Sequence, residues 1–520
     1  MKNNKQYEMT FLRYVNIIYM LATTAFLASA QFEVEYEGGV TANYGKGDIA
    51  PYYINSNRGG TLTQQYSTLL NAAAKHELDT TRRFSFGFGA EFWGGYTSSV
   101  SYDRYDLATG KFVRNLQHPA HAWVQQLYAD VKYRSLFATV GAKARQSDLA
   151  SADLSSGDLV MSGNARPGTG IRAGLVNYQN IPFTNGWVQI SGEIGYERLD
   201  DGDWLKNHYN YYNNFLTTGY WFNYKKLRLR TRPDQPFVFT IGAQAACQFA
   251  GTQNIYENGI LTKTVKMPAN FKSFFRSIIA GSGGDNPGDQ MYVEGNHVGS
   301  WDIMLDYEND AVGKFRAYHQ TIWEDGSGIG LQNGFDGLWG LEWRSATKSF
   351  VSGVVVEYID FTNQSGHIHF SEDLNKDSAI KGGATGSDDY YNNYSYNGYQ
   401  NRGMSIGTPF AKPLIYNTDG YMRYLDNLVR GFHIGVKGYL SSEYDYRLLF
   451  STRKAYGTPE HPRATGVRAT CFMLEANAHP SWLKGLELKA QFAFDRGSLL
   501  GNNTGGMVSV LYHGDFNIGQ

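Results

Sequence analysis

Residues Phe237–Phe249 read FVFTIGAQAACQF. Phe237, Phe239, Ile241, Ala243, Ala245, Cys247 and Phe249 fall on one face of an extended chain, and Thr240, Gln244 and Gln248 on the other. A period of two is the signature of a strand with one apolar and one polar side. The pattern recurs along the chain. Val34, Tyr36, Val40, Ala42 and Tyr44 alternate with Glu33, Glu35, Glu37, Thr41 and Asn43. Phe84, Phe86, Phe88, Ala90 and Phe92 alternate with Ser85, Gly87, Gly89 and Glu91. Leu486, Leu488, Ala490, Phe492 and Phe494 do so with Glu487, Lys489, Gln491 and Asp495. Counting the weaker segments as well, the sequence predicts roughly sixteen to eighteen strands.

Segment length separates a soluble sandwich from a membrane barrel. Several segments run to about 10–14 residues, near the 9–11 that a tilted strand needs to cross a bilayer, whereas soluble strands average about 5–6. Aromatic residues also gather at segment ends, as at Trp93 and Tyr96, Tyr220 and Trp221, and Trp339 and Trp343. Such positions suit the aromatic girdles of an outer-membrane barrel. The expected fold is therefore all-β, a transmembrane antiparallel β-barrel whose apolar face meets lipid and whose polar face lines the lumen.

Composition agrees with strands: aromatics make up 15% of the chain, with 38 Tyr and 59 Gly. A net charge of −1 from 47 basic and 48 acidic residues excludes a whole-protein field suited to nucleic acid. Cys247 and Cys471 are too few for a disulfide framework and have no metal-ligand spacing; both read as small outward-facing apolar residues. At the N-terminus Lys2, Lys5 and Arg13 precede an apolar stretch and Ala28-Ser29-Ala30, the pattern of a secretory signal over 1–30. Residues 31–520 contain no linker-like boundary and read as a single barrel domain in the outer membrane of a Gram-negative bacterium, its long loops facing the cell surface.

Two interruptions are long, 253–300 and 362–430. Loops of this length are usually functional or disordered. In the first, Phe271, Phe274, Phe275, Ile278 and Ile279 are spaced as on a short amphipathic helix. A plug inside the lumen is expected, if anywhere, at 268–290.

Three stretches, in order, carry a family resemblance: SSGDLVMSGNARPG from Ser155 to Gly168, EGNHVGSWD from Glu294 to Asp302, and YYNNY from Tyr390 to Tyr394 running on to GMSIGTPF at Gly403–Phe410. The chain resembles the Wzi-like capsule assembly proteins in these, in the longer Tyr/Asn-rich form of the Bacteroides group. The resemblance implies an outer-membrane β-barrel acting as a lectin for capsular polysaccharide.

Sugar recognition needs flat apolar surface for ring faces and planar polar groups for hydroxyls. Asp388, Asp389, Tyr390, Tyr391, Asn392, Asn393, Tyr394 and Tyr396 offer both, and are the candidate polysaccharide-binding residues; the other reading of this stretch is a loop that merely folds over the barrel mouth. Lys143, Arg145, Lys314, Arg316, Lys489 and Asp495 form a mixed charge set on the lumen face, with two readings, attraction of an acidic polysaccharide or, the favoured one, mutual satisfaction in ion pairs. Within Ser155–Gly168, Asn164, Pro167 and Gly168 are turn formers, and Arg166 is expected to pair with Asp158 or Asp153. His297 reads as a hydrogen-bonded loop residue, and His367 and His369 lack a third metal partner. No catalytic signature such as G-x-S-x-G is present, so no enzyme activity, metal or cofactor is expected. The function expected is a monomeric surface lectin that anchors exported capsular or extracellular polysaccharide, with outer-membrane lipid as its other partner. A pore for solutes or saccharides is the alternative, distinguished by an open lumen; a hydrolase at the barrel rim ranks third.

Overall fold

The computed structural model describes residues 32–281, 293–365, 369–370, 384–385 and 388–518. The expected signal sequence at 1–30, part of the expected plug at 282–290, and His367 lie outside them. Eighteen antiparallel strands close into a barrel. They are β1 (Phe32–Ile49), β2 (Gln64–His76), β3 (Phe84–Thr97), β4 (Ala122–Tyr133), β5 (Leu136–Ala142) and β6 (Thr169–Leu175, continued by Gln179–Asn180). Then follow β7 (Val188–Arg198), β8 (Trp221–Thr231), β9 (Phe237–Phe249), β10 (Asn296–Asn309), β11 (Gly313–Trp323) and β12 (Gly337–Arg344). The last six are β13 (Gly353–Asp360), β14 (Val429–Tyr439), β15 (Tyr444–Gly457), β16 (Pro462–Ala478), β17 (Leu486–Arg496) and β18 (Thr504–Ile518). Each strand pairs with its sequence neighbours, and β1 meets β18 in continuous register from Phe32↔Ile518 to Lys46↔Thr504. Closure removes both sheet edges, so every ladder group is paired, the condition for strands to cross hydrocarbon. No described helix is long and apolar enough to span a membrane.

Alternation sorts the side chains as the sequence predicts. Leu341, Phe432, Phe492 and Val508 are exposed on the outer face. Their neighbours Glu342, His433, Gln491 and Ser509 are buried inside. Connections alternate too. Short turns follow even-numbered strands, as at 134–135, 232–236, 310–312 and 440–443, and the long segments, 98–121, 143–168, 199–220, 250–295 and 361–428, all follow odd-numbered ones. The barrel therefore has a short-turn end and a long-loop end.

The apolar core lies inside the barrel, built where long loops fold in. Leu154, Leu159, Val160, Tyr391, Tyr399, Phe410 and Leu414 are fully buried within one cluster that also includes wall residues Phe222, Met304 and Val355. This corrects the expected plug. Helix Phe271–Ile279 does not enter the lumen: it lies on the outer wall, with Phe274 against Trp221 and Phe249 on the outward face. Lys225 Nζ donates to the Ser277 carbonyl at 2.7 Å beneath it. Cys247 is outward and buried in the same region, whereas Cys471 faces inward, its Sγ 3.5 Å from Arg453 Nη2, which corrects its outward assignment. Both cysteines are free.

Candidate functional site

Segment 143–168, which contains the SSGDLVMSGNARPG stretch, crosses the lumen. Its turns are made locally. Asp158 Oδ1 accepts from the backbone N–H groups of Val160 at 2.8 Å and Met161 at 3.0 Å, an Asx turn. Gly157 supplies a φ of +112°. Asn164 accepts from the Asn57 N–H at 2.8 Å and donates to the Ser405 carbonyl at 2.9 Å, joining three segments of chain.

The wall holds this segment from several sides. Glu357 on β13 accepts from the Ser155 hydroxyl at 2.6 Å and the Ser156 N–H at 2.7 Å, while Tyr318 on β11 donates to the same carboxylate at 2.7 Å. Gln244 on β9 and Gln320 on β11 donate to Asp158 at 2.9 and 3.1 Å. Lys437 on β14 pairs with Asp153 at 2.7 Å. Arg228 on β8 pairs with Asp302 at 2.7 Å and also with Asp148 of the segment. On β14 the approach is so close that a Cβ at Gly435 would collide with the Leu154 carbonyl. The hydrogen bonds on the buried Glu357 and Asp158 carboxyls hold one geometry, because breaking any of them leaves a buried polar group unsatisfied, whereas the Lys437–Asp153 and Arg228–Asp148 pairs, whose acids are nearly half exposed, add little.

The Tyr/Asn stretch is the second layer. Tyr390, Tyr391 and Tyr396 are 0% exposed, so the expected free ring faces are covered by protein. Tyr391 donates to the Leu159 carbonyl at 2.6 Å, and Tyr396 to the Ala250 carbonyl at 3.1 Å. Asn392 exchanges hydrogen bonds with the Tyr424 backbone at 2.8 and 2.9 Å. Asp389 pairs with Arg423 at 3.1 Å. Asp388 accepts from the Ser365 hydroxyl. Most of these side chains thus cement the infolded loops. Tyr394, 58% exposed, and half-buried Asn393 are the members that reach the surface, where Tyr394 donates to Glu460.

Three carboxyls beside this layer are buried in the loops. Burial, with Asp388 adding to it, pushes Glu324 well above the usual range, and burial raises Asp336 and Asp388 to about 7. Glu324 accepts from the Tyr391 N–H at 2.7 Å, and Asp336 from the Gln364 N–H at 2.6 Å.

The charged lumen set, Asp495 excepted, satisfies itself in ion pairs. Lys143 meets Asp130 at 2.5 Å, Arg145 meets Glu193 at 2.7 Å and Glu197 at 2.5 Å, Arg316 meets Asp306 at 2.6 Å, and Lys489 meets Glu487 at 3.2 Å. Lys314 lies 3.7 Å from Asp306, and Asp495 accepts from the Tyr52 N–H at 3.0 Å. His297 is hydrogen-bonded, to the Glu294 carbonyl at 3.1 Å, but it sits in strand β10 and not in a loop. Among the described residues no group of three His, Cys, Asp or Glu could hold a metal ion.

Arg166 breaks its expected pairing. It meets neither Asp158 nor Asp153; its guanidinium sits 4.8 Å above the ring of Trp123. Trp93 and Trp123 lie side by side on the lumen face of β3 and β4, their planes 8° apart and centroids 6.4 Å apart. A β-bulge at Glu91/Phe92 sets Trp123 opposite Trp93. Trp93 was expected in the outer aromatic girdle; the parity it shares with Glu91 could have placed it inside. The bulge that turns Trp123 inward leaves no mark in the sequence.

No family model matches the chain, and no curated protein matches it in sequence. In fold it is similar to Wzi, an outer-membrane protein involved in group 1 capsule assembly in Escherichia coli and a carbohydrate-binding β-barrel. That match has 12% identity and a TM-score of 0.53 over 92% of this chain and 83% of that one. Other similar structures are Pseudomonas aeruginosa OccD3 (OpdP), at 9% identity and TM-score 0.42 over 94% and 92% of the two chains, and Acinetobacter baumannii OccAB3, at 10% and 0.42 over 93% and 99%. The architecture is that of outer-membrane β-barrels.

Proposed function

We propose that this protein is an outer-membrane lectin, a barrel that holds a loop-built surface at the long-loop end for binding exported capsular or extracellular polysaccharide. The observation that carries the reading is the occupied lumen: segment 143–168 spans it and is fastened to β8, β9, β11, β13 and β14. A solute pore needs a continuous wet path, and segment 143–168 with the buried loop cluster takes up part of that space. The carbohydrate-binding barrel of similar fold makes polysaccharide the first ligand class to test. Short turns facing the periplasm and long loops facing outward is the usual arrangement of such barrels, which sets the long-loop end at the cell surface. Tyr394, with Asn393, is the part of the Tyr/Asn stretch that this reading sets against a glycan there. The reading is of a binding protein rather than an enzyme, built on a single barrel domain.

A glycan array probed with purified protein, alongside ion conductance in a planar bilayer, tests it. Glycan binding with little conductance is expected. Steady open-channel currents without glycan binding would replace this reading by the pore.

A further inference from the structure

Helix Phe271–Ile279 is amphipathic in the opposite sense to a helix in water. Its buried side chains are Ser273 and Ser277, at 1% and 0% exposure, whereas Phe271, Phe275 and Ile279 are 86%, 55% and 58% exposed among the described residues. Residues four apart share one edge of a helix, so these three form a continuous apolar stripe pointing away from the wall. In water that stripe would turn toward the protein. Polar contacts fix the helix the other way. Tyr196 Oη donates to the Phe274 carbonyl at 2.6 Å, Lys225 Nζ donates to the Ser277 carbonyl, and Arg276 pairs with Glu294 at 3.0 Å.

What the helix covers gives its depth. Asn223 and Lys225 take outward positions on β8, in the same alternation as Trp221 and Leu227, and Asn223 accepts from Lys225 Nζ at 3.1 Å. Strand β8 has 11 residues, and a tilted strand needs about 9–11 to cross the hydrocarbon. Both polar side chains therefore stand at bilayer depth, where a bare lysine on the lipid face is destabilising. The helix replaces this polar break by an apolar surface. That surface runs on into the lipid-facing wall, where Leu227 on β8, Ile241 on β9 and Trp301 on β10 are exposed.

The chain leading into the helix is basic. Over 250–281 it carries Lys263, Lys266, Lys272 and Arg276 against Glu257 alone. Arg276 is occupied by Glu294, but the three lysines are exposed and make no ion pair among the described residues. Lys263 and Lys266 belong to strand Ile260–Met267, whose last residue packs on Tyr220 at the long-loop rim of the wall. Lys272 stands in the first turn of the helix, where a cation opposes the helix dipole, so its use lies outside the helix.

We infer that this helix and its basic approach are a binding surface for a phosphorylated lipid of the outer leaflet, on the orientation proposed for the barrel. Phe271, Phe275 and Ile279 lie among acyl chains, and Lys263, Lys266 and Lys272 meet the phosphate at headgroup level. The two parts divide as in an interfacial anchor, apolar area giving insertion and lysines giving preference for an anionic headgroup. A neutral lipid satisfies the stripe and leaves the lysines unmatched.

Two readouts on full-length protein test this. A nitroxide is placed on Phe275→Cys in phosphatidylcholine nanodiscs, with wild type, whose two cysteines are free and buried, as the labelling blank. The label is expected to collide more with oxygen, which concentrates among acyl chains, than with a water-borne nickel chelate, and a label on Lys263→Cys should show the reverse. A label at 275 that the chelate reaches more readily, or that is shielded from both as under another protein, overturns the proposal. The second readout is native mass spectrometry of protein released from nanodiscs doped with diphosphoryl lipid A. The triple variant Lys263→Gln, Lys266→Gln, Lys272→Gln should retain at least about tenfold less lipid A than wild type, and arginine at the same three sites should keep it; heat-modifiability on gels verifies folding. Equal retention by wild type and the folded glutamine variant overturns the phosphate assignment. Neither readout involves glycan binding, so the lectin reading stands or falls separately.

Discussion

The Glu357 carboxylate on the barrel wall accepts the Ser155 hydroxyl at 2.6 Å, deep inside the lumen. Wall and plug are joined there by a fully buried acid that also receives Ser156 and Tyr318. Hydrogen bonds to a charged acceptor contribute about 1.5–3 kcal/mol each, and an orphaned buried donor costs about as much. Glu357→Ala is therefore expected to loosen the 143–168 segment by about 3 kcal/mol. Planar-bilayer recordings should show it as new ion conductance in a barrel that still runs as a heat-modifiable species. Conductance indistinguishable from wild type would mean that this joint does not keep the lumen closed.

Facing along β17 can be checked with two adjacent residues. Leu488 is exposed on the outer wall, while Lys489 points inward to Glu487 at 3.2 Å. Leu488→Arg should cost roughly 2–4 kcal/mol at bilayer depth. Lys489→Gln forfeits one partly screened pair, about 1 kcal/mol or less. Denaturant titration of protein refolded into vesicles would separate them, and equal losses would contradict the alternation.

Tyr391 and Tyr394 sit three residues apart with opposite fates. Tyr391 is sealed under the loops and donates to the Leu159 carbonyl, so Tyr391→Ala should cost about 3–5 kcal/mol through cavity and lost bond. Tyr394→Ala should stay within about 0.5 kcal/mol in stability yet weaken polysaccharide retention at the cell surface. Limited proteolysis of the loops reports the first effect and glycan binding the second. A stable Tyr391→Ala barrel with protected loops would refute the keystone role of this ring.

Asp336 and Asp388 titrate near 7 in the folded loops against an ordinary value of 3.8. Because the folded values are raised, the native loops hold more protons than unfolded ones between about pH 4 and 7. Their contribution to stability is thus full below about pH 4 and falls as pH rises through 7. Hydrogen-exchange protection at 363–365 and 388–392, taken relative to the base-catalysed intrinsic rate at each pH, should be higher at pH 5.5 than at pH 8, and Asp388→Asn should flatten that difference. Lower protection at the lower pH would reverse the sign and reject the assignment.

What the sequence by itself determined was the wall. Alternation as clean as that of Phe237–Phe249 or Leu486–Asp495 reports a strand between two unlike media, and it places Leu488 outside and Lys489 inside without any knowledge of neighbours. What only the tertiary structure decided was the contents of the barrel. Segment 143–168 looks in sequence like any turn-rich connection, and nothing local says that Ser155 finds Glu357, or that Arg166 finds Trp123 rather than Asp158. The Tyr390–Tyr396 stretch carries the same composition whether its rings face water or, as here, protein. A period of two is set by the backbone within a few residues, whereas the inward fold of a loop depends on pairings hundreds of residues apart that only closure of the barrel brings together.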